Sequence, residues 1–423
     1  MQQENHKKMK KTIKQTALIA ATMLIGACTG QNSKIHCHIE GTVADSTYTM
    51  MLLTPSCNDM RTTPPDSIPV IDGRFAYDIY TNEIMPYELV AMEQYNSGIW
   101  YTAEFFAEQG EVAITFYAGA DDKIPTISSV TPSNSNYMRL QSPLDSMIAQ
   151  IEHEEDSLKR IGRWETPKMI ELHAQFNAAK DDQTKKEIAQ QANALYESGE
   201  AYTPEYHALQ AKSDKVYEEY EKYIFDFIRN DRGIVGLHML QRKTMYKEVD
   251  EALCTTLFNE IYRERYLNHP LGQYMETWVQ SLGIKVGGRY IDFTAPDLNG
   301  TPHTLSREIA GKIALIDLWA SWCSPCRRTS KSMIPIYNAY KERGFTIVGV
   351  ARENKREDMQ QAIAKDGYPW LNLLELSDEN NIWSKYGVNN AGGITVLVDR
   401  DGTILAIKPT ADEVEHILKE KLQ

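Results

Sequence analysis

Two cysteines three residues apart, Cys323 and Cys326, stand where an apolar run gives way to a helix-forming one, and no other feature constrains the fold as much. Residues 314–318 are the kind of short apolar stretch that forms a buried parallel strand. Trp319-Ala320-Ser321-Trp322 follows, then Cys323-Ser324-Pro325-Cys326, then residues at helical spacing through 343. Pro325 suits a first helical turn, where its missing N–H would have no partner anyway. A sulfur at such a junction lies beside unpaired backbone N–H groups and the positive end of the helix dipole, which favours the thiolate. The order of the two cysteines predicts Cys323 as an attacking sulfur. Cys326, one turn in and more deeply buried, is then the resolving one.

Asp317 lies on the apolar run, six residues before Cys323. An anion is costly to bury there, so its pKa is expected to rise and to make it a proton shuttle for Cys326. Three further runs, 345–350, 394–398 and 403–407, read as strands. Helical stretches at 326–343, 356–365 and 411–422 separate or follow them. Strand, helix, strand, a hairpin and a closing helix make an α/β order.

The chain has 423 residues, enough for two or three domains. Residues 34–130 read as short strands: Ile35, Cys37 and Ile39 alternate with polar neighbours, and Asp72-Gly73 marks a hairpin. An antiparallel β-sandwich is predicted there. Residues 135–285 carry helical periodicity, best seen in Val216, Tyr217, Tyr220, Tyr223, Ile224, Phe227 and Ile228, which predict a core-facing stripe. The predicted fold class is therefore multidomain α+β: sandwich, helical middle region, and an α/β domain over 286–423.

The first 27 residues hold five Lys and one Glu, +4 of a total of −13, so the remainder stands at −17. So acidic a body argues against nucleic-acid binding. Residues 16–27 are apolar but shorter than the roughly 20 residues a membrane span needs, which fits a signal peptide over 1–27. Ile25-Gly26-Ala27-Cys28 resembles a bacterial lipobox, which implies a lipid on Cys28, a polar tether over 28–33 and a cell-envelope location facing the periplasm. The remaining cysteines carry no motif. Cys254 reads as a core residue, a Cys37–Cys57 pair is left open, and His36 and His38 read as ordinary strand residues in preference to a metal patch.

The run from Ile313 through Trp319-Ala320-Ser321-Trp322-Cys323-Ser324-Pro325-Cys326-Arg327 resembles the signature of the thioredoxin superfamily. Ala295-Pro296-Asp297-Leu298-Asn299-Gly300 and Lys365-Asp366-Gly367-Tyr368-Pro369-Trp370 are similar to the opening hairpin and the inserted segment of its TlpA/ResA-like branch. The resemblance covers about 286–423. It implies a membrane-anchored thiol–disulfide oxidoreductase with no cofactor and no metal. Its partners would be cysteine-containing exported proteins and an electron donor. It also implies that Trp322 shields the pair, with Ser324 and Pro325 tuning it. Lipoproteins of this branch can precede that domain with a sandwich and a helical spacer.

Two positions depart from the family pattern. The loop that carries its cis-proline has Gly393 there, followed by Ile394, so a trans loop adapted to glycine is expected. The helix proline falls at Pro335, nine residues past Cys326 where thioredoxins have it at five. The missing cis-proline leaves a thiolate metal-handling module as one alternative. A binding lipoprotein with a redox-silent scaffold is another. A peroxidase of the peroxiredoxin kind would have Thr where this chain has Ala320.

Overall fold

A computed structural model describes residues 35–58, 63–98, 101–117, 124–245, 249–388 and 392–422. Cys28, the stretches expected to be a signal peptide and tether, and Asn389 to Ala391 lie outside the described residues. No helix among those described is long and apolar enough to cross a membrane.

Eight strands come first: β1 (Ile35–Val43), β2 (Met50–Pro55), β3 (Asp66–Pro69), β4 (Arg74–Thr81), β5 (Met85–Ala91), β6 (Ala103–Ala107), β7 (Gly110–Phe116) and β8 (Thr126–Ser128). They form two sheets, ordered β4-β1-β7-β8 and β3-β2-β5-β6. Alternation decides what each face does: Cys37 and Ile39 turn inward and join Ile79, Met51, Leu89 and Phe105 in one apolar cluster fed by both sheets. The antiparallel expectation fails at one pair, since β1 and β7 run parallel. All four strands of the second sheet, and β4 of the first, lie between them in sequence, so they are joined by a long crossover and not by a hairpin.

Asp72 and Gly73 do form a two-residue turn, with φ of 51° and 69°. Ile71 and Arg74 exchange backbone hydrogen bonds of 2.8 and 3.0 Å across it. The hairpin stops there. β3 joins β2 in one sheet and β4 joins β1 in the other, so the turn is a crossover between sheets.

The longer helices that follow are α1 (Pro132–Arg160), α2 (Pro167–Ala178), α3 (Asp182–Ser198), α4 (Pro204–Asn230), α5 (Ile234–Lys243), α6 (Glu251–Leu257) and α7 (Pro270–Ser281). Three begin on the dipeptide Thr-Pro, with Thr131, Thr166 and Thr203 extended at the N-cap and proline at the first helical position. Proline forces its predecessor out of the helical region and presets its own φ, so the dipeptide is a start signal. On α4 the tyrosine stripe is core on one side only. Ile224 and Ile228 are buried in the helical core, whereas Tyr217 and Tyr223 are exposed. Cys254 is buried in that core. Cys37 and Cys57 are both free. His36 and His38 each bond Asp78 Oδ1 at 2.8 Å, and no group of three His, Cys, Asp or Glu among the described residues is placed to hold a metal ion.

The hairpin β9 (Thr294–Pro296) and β10 (Pro302–Thr304) opens the C-terminal region. A five-stranded sheet follows, built from β11 (Ile313–Trp319), β12 (Phe345–Glu353), β13 (Leu371–Leu376), β14 (Thr395–Val398) and β15 (Ile404–Ile407) in the order β13-β12-β11-β14-β15. β11 is central and buried along its whole length, with β12 parallel on one side and β14 antiparallel on the other. Helices α8 (Ser324–Tyr340), α9 (Arg356–Asp366) and α10 (Ala411–Lys421) accompany it, and Pro335 sits inside α8. Strand β13 escaped the sequence reading because Asn372 and Glu375 interrupt its apolar pattern. Both are buried with dedicated partners: Trp319 Nε1 donates to Asn372 at 3.1 Å, and Glu375 accepts the Ile382 N–H at 2.8 Å.

Candidate active site

The C-terminal end of β11 delivers the chain to the site. Trp319 ends the strand, three residues turn, and Cys323 caps α8. Its Sγ accepts the Cys326 N–H at 3.3 Å, the bond a capping oxygen would make. Ser324 and Pro325 fill the first helical positions, where proline removes only a donor the helix does not use. The two sulfurs are joined as a disulfide. Both residues are buried, Cys323 at 5% exposure and Cys326 at 9%, so depth does not set the second apart from the first as the sequence reading expected.

The glycine loop lies against the sulfurs. The Gly393 N–H donates to Cys326 Sγ at 3.1 Å. A β-carbon on Gly392 would stand 3.4 Å from Cys323 Sγ. One on Gly393 would fall 1.8 Å from the Leu318 carbonyl oxygen, which no side chain can accommodate. Close approach, and not a special φ, is why glycine stands there. The described residues contain no cis peptide, in line with the trans loop expected. Ile394 anchors the loop to the sheet, its carbonyl accepting the Leu318 N–H at 2.9 Å.

Asp317 is 2% exposed on the central strand, its neighbours across the sheet being Gly349 and Thr395. Burial pushes its carboxyl up to about 7, and one hydrogen bond from Ser330 opposes this only in part. Ser330 Oγ donates to Asp317 Oδ2 at 2.6 Å and lies 3.1 Å from the carbonyl oxygen of Cys326. A hydroxyl has one proton to give. When Asp317 is ionised, Ser330 donates to it. When Asp317 is protonated, the acid can donate to Ser330 Oγ, which frees the hydroxyl proton for the backbone carbonyl of Cys326.

Several supporting residues had no local sequence signal. Glu353, buried at the end of β12, accepts the Ser321 N–H and, at 2.8 Å, its hydroxyl, which fixes the turn before Trp322. Burial pushes the Glu353 carboxyl up. Arg327 grips Asp366 with two bonds of 2.6 and 3.0 Å and donates to the Ser321 carbonyl at 3.1 Å, while Arg328 bonds Ser324 Oγ at 3.0 Å. These two cations are therefore occupied in holding the helix start. Tyr368 OH joins Asp366 at 3.0 Å, and its ring meets Trp319 edge-on at 5.0 Å. Ser330 was the one legible addition, since residues four apart share a helix face and it follows Cys326 by four. Trp322 is half-exposed, its ring 6.1 Å from that of the buried Trp383.

The AhpC/TSA family profile matches residues 286–407. The thiol-disulfide oxidoreductase ResA of Geobacillus kaustophilus is 26% identical over 149 residues, 34% of this chain and 83% of that protein. The thiol:disulfide interchange protein DsbE of Allochromatium vinosum is 29% identical over 116 residues, 27% of this chain and 60% of that protein. Among solved structures, the thioredoxin domain of a thiol-disulfide oxidoreductase from Bacteroides vulgatus is 29% identical, with 33% of this chain and 99% of that one covered and a TM-score of 0.31. The C-terminal third of the chain, residues 286–407, is thus a thioredoxin-like domain of the AhpC/TSA family, and the protein that carries it is an oxidoreductase.

Proposed function

We propose that the chain is a membrane-tethered thiol–disulfide oxidoreductase of the cell envelope that reduces or isomerises disulfides in exported proteins. The observation that carries this reading is a Cys323–Cys326 disulfide at a helix N-cap, with the acid Asp317 buried on the strand that leads to it and bonded through Ser330 to the backbone carbonyl of Cys326. The Cys323 thiolate attacks a substrate disulfide, forms a mixed disulfide and expels the first substrate thiolate. Cys326 gives its proton to Asp317 and attacks Cys323 Sγ. That releases the second substrate thiolate and leaves the enzyme disulfide. Two electrons have passed to the substrate, and an external thiol donor must return them. The sulfurs hold the electrons themselves, so no cofactor is required.

The Gly393 N–H steadies the leaving or attacking sulfur of Cys326. Trp322, half-exposed beside the pair, offers a face to an incoming peptide. The lipid on Cys28 supplies the tether and the periplasmic address. The sandwich of 34–130 and the helices of 135–285 act as a spacer that carries the domain of 286–423 away from the membrane. A peroxidase reading has less support, because Ala320 is buried and brings no hydroxyl to Cys323.

The test is a redox titration of the full chain followed by thiol alkylation, run beside a Cys326→Ser variant. A cycling pair, and mixed disulfides trapped on Cys323 with envelope proteins, are expected. A pair that does not cycle and traps nothing would sink the proposal.

A further inference from the structure

Away from the cysteines, buried polar groups gather at the seam between the second sheet and helix α5. Thr54, Glu88 and Glu104 lie abreast on β2, β5 and β6, so their side chains share one face. Phe106, two residues after Glu104 and on the same face, belongs to the helical core, so this face is turned toward the helices. Glu104 is fully partnered there. His238 Nε2 donates to it at 2.7 Å, and Arg242 and Tyr137 donate to its other oxygen.

Its neighbour Glu88 borders a cavity of about 210 Å³, walled further by Ser56, His238, Gln241, Arg242 and Met245. Two buried atoms of these residues have no hydrogen-bond partner among the described residues, His238 Nδ1 and Gln241 Oε1, while the Ser56 hydroxyl is turned to the Glu88 carboxyl. His238 is 0% exposed and Gln241 1%. Each orphaned buried polar atom costs about 1–3 kcal/mol, and native proteins keep few of them. Two on the wall of one cavity imply an occupant that bonds to them.

The wall states what that occupant is. His238 Nε2 is committed to Glu104, so in the neutral ring Nδ1 is an acceptor. Gln241 Oε1 is an acceptor too. Glu88 contributes a carboxyl group, and Arg242, bonded to Glu104, also pulls on that carboxyl electrostatically. The unmet need is for N–H donors beside a carboxyl group that Arg242 neutralises only in part. We propose that this cavity is a binding site for a small organic cation, an amine or guanidinium group whose N–H bonds reach Glu88, Gln241 Oε1 and His238 Nδ1. Burial, and then Glu104 beside it, push the Glu88 carboxyl up to about 7 against the pull of Arg242, and a bound cation would draw it back down. The volume equals that of about seven liquid waters, which limits the cation to a few non-hydrogen atoms.

The experiment is thermal melting and calorimetric titration of the full chain with n-propylammonium, methylguanidinium, tetramethylammonium and propionate. Saturable stabilisation by the first two alone is expected, because tetramethylammonium has charge but no N–H and propionate has the wrong sign. Glu88→Gln should weaken binding roughly tenfold, the worth of one charge-assisted bond. Gln241→Leu should raise the melting temperature of the ligand-free chain by removing an orphan and should lose the response to amines. No saturable shift with either amine, an equal shift in Glu88→Gln, or stabilisation by propionate would overturn the proposal and leave the cavity to water.

Discussion

Two buried carboxylates, one in each half of the molecule, are held in opposite states. Asp317 is 2% exposed on the central strand of the C-terminal sheet and is pushed up to about 7. Glu104 is 7% exposed at the seam between sheet and helices. Burial pulls it up, but His238, then Arg242 and the Tyr137 hydroxyl, outweigh that and hold it down near 2. The difference lies in partners, not depth. One neutral hydroxyl faces Asp317, whereas two cation-capable groups and a phenol face Glu104. An acid kept near neutrality can take and return a proton at physiological pH. One locked into a paired network cannot, and serves as a structural post. Burial of a carboxylate therefore identifies a working group only once its partners have been counted.

The largest effect that would break this contrast is on rate. Asp317→Asn should slow resolution of the mixed disulfide about 10²–10⁴-fold at pH 7, measured by stopped-flow thiol release, if Asp317 is the proton acceptor. An unchanged rate would place it with Glu104 as a structural group. The same substitution should stabilise the fold in alkali. The folded-state pKa lies above the ordinary 3.8, so folding disfavours the ionised form. That cost is absent below pH 4, grows as pH rises, and is complete above about 7, where it reaches about 4 kcal/mol. Urea melts at pH 4 and pH 8 should show the variant's advantage only at pH 8.

Stripping Glu104 of its cation should do the reverse. Arg242→Met is expected to cost about 3 kcal/mol, because it leaves a buried charge short of its partner. A loss below about 1 kcal/mol would show that the hydrogen bonds from His238 and Tyr137 suffice to hold Glu104. A smaller effect is expected at the loop over the sulfurs. Gly393→Ala should cost about 1–3 kcal/mol through collision with the Leu318 carbonyl. It should also change the thiol–disulfide equilibrium constant, since it displaces the N–H that reaches Cys326 Sγ. The smallest is Ser330→Ala, expected to lose about 1 kcal/mol and to move the pH–rate profile of resolution toward higher pH as Asp317 loses its only donor. An unmoved profile would show that Ser330 does not tune Asp317.

Local pattern was enough to read much of this molecule. The strand–turn–helix around Cys323 was legible because a buried strand, a proline at a helix start and a cysteine spacing all sit within a dozen residues. Asp317 was legible for the same reason, as a carboxylate inside an apolar run. Strand β13 was not, because Asn372 and Glu375 look like surface residues until Trp319 and the Ile382 N–H appear beside them. The Asp72-Gly73 turn was legible as a turn but misleading as a hairpin, since a turn does not say which sheet each arm will join.

By itself the sequence determined the redox pair, the carboxylate beneath it and the break into strand-rich, helix-rich and α/β stretches, because each is written in residues close together along the chain. Only the tertiary structure decided that Ser330 links Asp317 to Cys326, that Glu353 and Asp366 clamp the site from other elements, and that Gly393 is required by the Leu318 carbonyl. It alone brought Glu88, Glu104 and His238 to one seam. Those groups are separated by tens to more than a hundred residues of chain. A partner's identity sets the charge of a buried acid, and no reading of nearest neighbours along the backbone contains it.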